Sequence, residues 1–130
     1  MNTKLLMTTS GLALGLTGLF ALFAPDLLLE TLGASPTTPL SIPVQLMGSL
    51  YFAFALIDWT AKDSAIGGIY ARPVSLGNFA HFFVGSLILI KYFLSNSFNL
   101  AASLITMVYI LFAVLFYWLV FRASGLPKES

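Results

Sequence analysis

The stretch LAASLITMVYILFAVLFYWLVF, residues 100–121, decides the fold class, because it carries no charged side chain over its whole length. A helix needs about 20 residues to cross the hydrocarbon core of a bilayer, which is roughly 30 Å thick. A chain in lipid must satisfy its own backbone hydrogen bonds, and this stretch lacks the alternation of apolar and polar residues found in barrel strands. It therefore predicts a transmembrane helix.

Three more apolar runs of comparable length lie upstream of it. The four predicted spans cover residues 5–24, 44–61, 74–94 and 100–121, and proline or glycine lies close to their ends. The second span is expected to start after the proline-rich segment SPTTPLSIP. Between the first two spans, DLLLETLG at residues 26–33 predicts a short helix in the membrane interface. The chain is thus predicted to be all-α, a four-transmembrane-helix bundle that forms a single integral membrane domain over residues 1–130.

A signal peptide is an alternative interpretation of the first run, because Lys4 precedes it and ALFA at residues 21–24 resembles a cleavage site. The run is long for the apolar core of a signal peptide. It also contains Gly11, Gly15 and Gly18, which suit close packing against another helix. We therefore expect the run to be the first span.

Composition supports a membrane protein and excludes several functions. Hydrophobic residues make up 58% of the chain and charged residues 8%, which leaves too little polar surface for a soluble globule. A net charge of +1 without a Lys/Arg cluster argues against nucleic acid as a partner. One histidine and no cysteine exclude a His/Cys zinc site or a bis-histidine haem site within one chain. No metal site and no catalytic residue is predicted, and the sequence identifies no cofactor.

The distribution of positive charge predicts the orientation in the membrane. With four spans, five basic residues fall on one side and one, Lys91, on the other. Because basic residues accumulate on the cytoplasmic side, both termini are predicted to be cytoplasmic. The five are Lys4, Lys62, Arg72, Arg122 and Lys128.

The segment DWTAKDSAIGGIYARPVSLGNFAH, residues 58–81, holds the candidate binding residues Asp58, Arg72, Asn78 and His81. Asp58 near the end of the second span and Asn78 near the start of the third are expected at similar depth, and His81 one turn deeper. Polar groups at such depth are costly and often mark a site. Asp58 also precedes Lys62 by four residues, the favourable order for an ion pair. The alternative is that the charges only anchor topology and His81 only bonds a neighbouring helix.

Four glycines are predicted to mediate helix packing. Gly11 and Gly15 form a GxxxG pattern in the first span, and Gly77 and Gly85 flank His81 at one turn on either side. Small residues let a neighbouring helix approach closely, and GxxxG can also pair two copies of a span. We therefore expect a homodimer or a larger complex in the lipid bilayer.

Three segments carry a resemblance to known proteins: PDLLLETLG at residues 25–33, GSLYFAFALIDWTAK at 48–62 and IGGIYARPVSLGNFAHF at 66–82. They resemble small uncharacterised bacterial four-helix integral membrane proteins. The resemblance implies the fold and a bacterial inner membrane, but no catalytic residue, because those proteins have no assigned activity. The chain also resembles, more loosely, four-helix scaffolds of sterol-synthesis membranes and small multidrug exporters. It departs from the exporters because its first span has no glutamate.

Three functions fit these features. The favoured one is a non-enzymatic accessory subunit or scaffold, with the glycine-rich first span and the aromatic-rich fourth span binding partner helices. The second is a small-molecule or proton-coupled carrier that uses the polar residues between spans two and three. The third is a membrane enzyme that acts on lipid or quinone.

Overall fold

The protein folds into helices joined by short connections. The structure is a computed structural model, and it describes residues 2–64 and 71–122. Within these ranges there is no strand, and four of the helices are long and apolar enough to cross a membrane. This confirms the predicted all-α bundle of four spans with a short extra helix. The helices are α1 (Thr3–Phe23), α2 (Pro25–Thr31), α3 (Thr38–Ala61), α4 (Ala71–Ser95) and α5 (Leu100–Arg122).

The short helix α2 begins at a proline and ends just before Gly33, whose φ of +82° suits a residue without a Cβ. Asp26 in its first turn accepts a hydrogen bond from Ser41 Oγ at 2.5 Å. Asn99 Nδ2 donates to Thr31 O at 3.3 Å. These bonds attach α2 to the starts of α3 and α5 at one end of the bundle.

Helix α3 begins at Thr38, earlier than the start of the second span that the sequence indicated at Val44. Pro39 lies in the first turn, where the missing N–H would have had no helical partner. Pro43 lies one turn further and removes one helical hydrogen bond without ending the helix. Because both prolines lie in the first two turns, the helix can include them and begin before the predicted span.

Helices α1 and α3 form one tightly packed antiparallel pair. They cross most closely at two glycines, since a Cβ placed on Gly18 would lie 2.8 Å from Gly48 O. Further along, a Cβ on Gly11 would lie 3.2 Å from Asp58 Cβ, and one on Gly15 would lie 3.3 Å from Ala55 Cβ. The GxxxG pattern thus faces a helix of the same chain, so these glycines are covered and do not pair two copies here, while the expected homodimer or larger complex stays a prediction.

Helices α4 and α5 form the second antiparallel pair, which is packed by aromatic rings. Phe82 is almost fully buried and stacks on Phe112, with ring centroids 4.8 Å apart, and on Phe116 at 5.9 Å. A Cβ on Gly85 would lie 2.5 Å from Tyr109 Cε1, so this glycine admits the tyrosine ring. Helix α3 joins the two pairs by packing on α4, and α1 contacts α5.

An ion pair connects α1 to the end of α3. Lys4 Nζ lies 2.6 Å from Asp63 Oδ1, and both side chains are exposed. The hydrogen bond from Lys4 lowers the pKa of Asp63, so the carboxylate keeps its charge until the pH falls below the ordinary range of an aspartate. The pair places the start of α1 and the end of α3 on the same side of the bundle. Lys128 and the side chain of Arg122 lie outside the described residues.

Candidate functional site

A buried polar triad connects three helices near the end of the bundle that carries the Lys4–Asp63 ion pair. Asp58 of α3, Ser10 of α1 and Asn78 of α4 are each 0% exposed. Ser10 Oγ lies 2.6 Å from Asp58 Oδ2, and Asn78 Nδ2 donates to Asp58 Oδ1 at 2.5 Å. The expected meeting of Asp58 and Asn78 across α3 and α4 is therefore present, with Ser10 as an additional member.

The geometry of the triad follows from the helix packing. Asp58 lies in the last turn of α3, and the antiparallel α4 brings Asn78 to the same level. Gly11 lets the backbone of α1 approach Asp58, which places the adjacent Ser10 within hydrogen-bonding distance. Each polar side chain therefore reaches its partner in a region closed to solvent.

Two further bonds hold the partners of Asp58 in position. Ser10 Oγ lies 3.2 Å from Met7 O, and Asn78 Nδ2 also donates to Val74 O at 3.1 Å. Asn78 Oδ1 is buried and has no hydrogen-bond partner among the residues that the structure describes. Both N–H groups of the Asn78 amide are thus used, while its carbonyl oxygen is not.

Asp58 forms no salt bridge within residues 2–64 and 71–121. The expected pair with Lys62 is wrong, because the Lys62 ammonium lies over the ring of Trp59, 3.1 Å from its centroid. This cation–π contact keeps the ammonium near the helix end, whereas Asp58 points into the bundle. The carboxyl group therefore depends on neutral partners.

Arg72 does not join the triad. It lies in the first turn of α4 with an exposed side chain, and it makes no hydrogen bond or ion pair with the described residues. A cationic side chain at a helix end reaches water more easily than a buried carboxyl group. Its inclusion in one cluster with Asp58 and Asn78 is thus not supported by the structure.

His81 belongs to a second polar cluster, deeper in the bundle. Its Nε2 lies 3.2 Å from Tyr109 Oη, and Tyr109 Oη lies 2.6 Å from Tyr51 Oη. The imidazole stacks on Phe54 with ring centroids 5.7 Å apart and meets the edge of Phe82 at 5.0 Å. The predicted depth of His81, one turn deeper than Asp58 and Asn78, agrees with this position.

The candidate site is therefore two clusters where the sequence suggested one. The first is the Ser10–Asp58–Asn78 triad, and the second is the Tyr51–Tyr109–His81 chain. Within the described parts of the molecule no hydrogen bond connects them. Together they link all four spans, because the triad joins α1, α3 and α4 and the chain joins α3, α4 and α5.

Only weak sequence signals pointed to Ser10, Tyr51 and Tyr109. Ser10 precedes the first glycine of the GxxxG pattern, but nothing in the sequence says which helix that pattern faces. Tyr51 and Tyr109 are polar residues in apolar spans, a feature that only indicates some hydrogen bond between helices. The partners became evident once the antiparallel register of α3, α4 and α5 was known.

The described residues contain no group of three His, Cys, Asp or Glu side chains that could hold a metal ion. An apolar groove of about 420 Å³ runs between α4 and α5, and its lining includes Phe79, Phe83, Ser86 and Tyr117 but neither Asp58 nor His81. Comparison of the chain with protein-family models, with curated proteins and with solved structures finds no match.

Proposed function

We propose that this integral membrane protein is a non-enzymatic accessory subunit or scaffold. The main support for this proposal is that the buried polar side chains of the protein form hydrogen bonds with one another across helices. Such bonds contribute stability and fix the register of spans in lipid, where apolar packing alone discriminates little. The triad and the Tyr51–Tyr109–His81 chain give each of the four spans at least one such bond.

The arrangement gives less support to an enzyme that acts on lipid or quinone. Such an enzyme needs a reactive group within reach of its substrate. The groove between α4 and α5 is lined by apolar side chains together with Ser86 and Tyr117, and Ser86 Oγ already donates to Phe83 O at 2.8 Å. His81 and Asp58 instead lie among protein groups.

The partner-binding face is assigned to α3. This helix buries Gly48, Ala55 and Asp58 and exposes large apolar side chains along its length, including Leu46, Leu50 and Leu56. The first span is a weaker candidate than the sequence suggested, because its glycines are already covered by α3. A membrane-protein partner or a second copy in a bacterial inner membrane would contact this α3 face.

A photo-crosslinking amino acid at Leu50 tests the scaffold. Leu50 is 61% exposed on α3, and Leu111, which is 57% exposed on α5, provides a matched control of the same residue type. Irradiation of intact membranes is expected to give a discrete protein adduct from position 50 and lipid adducts alone from position 111. An adduct of twice the chain mass would identify a homodimer. Lipid adducts alone from both positions would contradict the proposal.

A proton-coupled carrier is the second candidate, because Asp58 is buried between the two helix pairs without a cationic partner among the described residues. Proteoliposomes with a trapped pH-sensitive dye would report proton movement. A carrier should dissipate an imposed pH gradient, and Asp58→Asn should abolish that flux. If the pH gradient decays at the same rate with the wild type, with the variant and in empty liposomes, the carrier function is excluded.

A further inference from the structure

The hydrogen bonds around Asp58 constrain where its proton lies. Ser10 Oγ lies within bonding distance of two oxygens, Met7 O at 3.2 Å and Asp58 Oδ2 at 2.6 Å. A hydroxyl group has a single hydrogen to donate, although it can accept as well. Met7 O is a carbonyl oxygen and can only accept. The single Ser10 hydrogen is therefore either shared between the two oxygens or donated to Met7 O, and in the second arrangement Asp58 Oδ2 supplies the hydrogen of the shorter contact.

The opposite side of the carboxyl group fits the same assignment. Asn78 Nδ2 carries two hydrogens and uses them on Asp58 Oδ1 and Val74 O. Asp58 Oδ1 therefore accepts in either protonation state, and a proton on this carboxyl group would lie on Oδ2. With one proton on Oδ2, all four contacts of the triad have one donor and one acceptor each.

We propose that the Ser10–Asp58–Asn78 triad is a proton-binding site, in which Asp58 holds a proton on Oδ2 and donates it to Ser10 Oγ. Ser10 then donates to Met7 O, and the triad as a whole is uncharged. Without the proton, the Ser10 hydrogen is donated to Asp58 Oδ2, and a full negative charge remains inside the bundle. Burial of a charge without a cationic partner is costly, and the two neutral donors Ser10 and Asn78 offset only part of that cost.

Among the residues that the structure describes, no cationic side chain forms an ion pair with Asp58. Lys4 of α1 pairs with Asp63, and Lys62 of α3 lies over Trp59. On α4, Arg72 is exposed and His81 contacts Tyr109 of α5. A metal cation is a poorer ligand than a proton here, because an N–H group already points at Asp58 Oδ1 and would have to turn away.

Infrared spectroscopy of the purified full-length protein in lipid tests the site directly, since protonated and ionised carboxyl groups absorb at separate frequencies. At neutral pH the wild type is expected to show a protonated carboxyl band that Asp58→Asn abolishes. Ser10→Ala should shift this band, because it removes the acceptor of the proton. Asp26→Asn, at an exposed carboxylate outside the spans, should leave it unchanged.

Two results would overturn the proposal. One is a wild-type spectrum in which Asp58→Asn removes ionised carboxylate bands and no protonated band. The other is a protonated band that sodium chloride, compared with choline chloride, diminishes, which would identify a metal cation as the ligand. The infrared band depends on neither a partner nor transport, so this test can fail or succeed independently of the crosslinking and flux experiments.

Discussion

At the residue scale, Tyr109 connects more of the molecule than any single charged residue in the site. Its hydroxyl lies within hydrogen-bonding distance of Tyr51 on α3 and His81 on α4, and its ring fills the space left open at Gly85. Its ring also meets Phe82 with centroids 5.3 Å apart. Tyr109 therefore combines apolar packing within the α4–α5 pair with a polar contact to Tyr51 of the other pair.

Removal of the Tyr109 hydroxyl tests that role. Tyr109→Phe keeps the ring but leaves Tyr51 and His81 without this partner, and it should lower the free energy of unfolding by about 1 kcal/mol, the usual net worth of one or two such bonds. Tyr117→Phe is the control, because Tyr117 is 53% exposed and contacts Phe79 and Phe121 through its ring. Unfolding by dodecyl sulfate in mixed micelles measures both. Equal stability of the two variants would show that the hydroxyl contacts contribute nothing.

Sequence reasoning located part of the site at this scale. It placed Asp58 and Asn78 at one depth because helix rise fixes how far each residue enters the membrane. It missed Ser10, since depth does not reveal which face of another helix is near. It included Arg72 because of its charge, yet a long exposed side chain at a helix end has no need of a buried partner.

At the element scale, the crossing of α1 and α3 depends on close contact between the backbones of the two helices. A Cβ on Gly48 would lie 2.9 Å from both Ala21 Cβ and Gly18 O, and 3.0 Å from Leu22 N. Two of these atoms belong to backbone, which cannot turn aside as a flexible side chain can. The glycines at this crossing therefore let the helices approach until backbone meets backbone.

Gly48→Ala should separate the two helices and destabilise the protein by about 1 to 3 kcal/mol, as overpacking in a close contact does. Gly77→Ala is a matched control on α4, since a Cβ there would meet Phe54 Cε1 at 3.7 Å, an ordinary contact. The control should be neutral or slightly stabilising, because alanine favours helix over glycine. The same unfolding assay measures both, and equal losses would mean that backbone approach is not what Gly48 provides.

The helices themselves were predictable, and so was the contact between α3 and α4, whereas the packing of α1 on α3 was not. Four long apolar runs leave a chain in lipid little alternative to four helices, and the described residues have that form. A GxxxG pattern predicts close approach of some helix without identifying it. In this protein the facing helix is α3, and its antiparallel register with α1 depends on Gly48. Nothing in the sequence indicates that Gly48 packs against α1.

At the scale of the whole molecule, the two ends of the bundle differ in charge. One end carries the Lys4–Asp63 pair, Lys62 and Arg72. The other carries α2, the start of α3 and Lys91 in the last turns of α4. The basic residues thus lie mainly at one end, and the positive-inside tendency predicts that this end faces the cytoplasm.

Single cysteines test this orientation without interference, because the chain has none of its own. Ser64 and Thr37 are both exposed and lie at opposite ends of α3, so a difference in labelling reports the side of the membrane and not burial. In intact cells an impermeant thiol reagent should label Thr37→Cys and spare Ser64→Cys, while permeabilised cells should label both. Labelling of Ser64→Cys from outside would reverse the orientation, and it would place the Ser10–Asp58–Asn78 triad near the external surface instead of the cytoplasm.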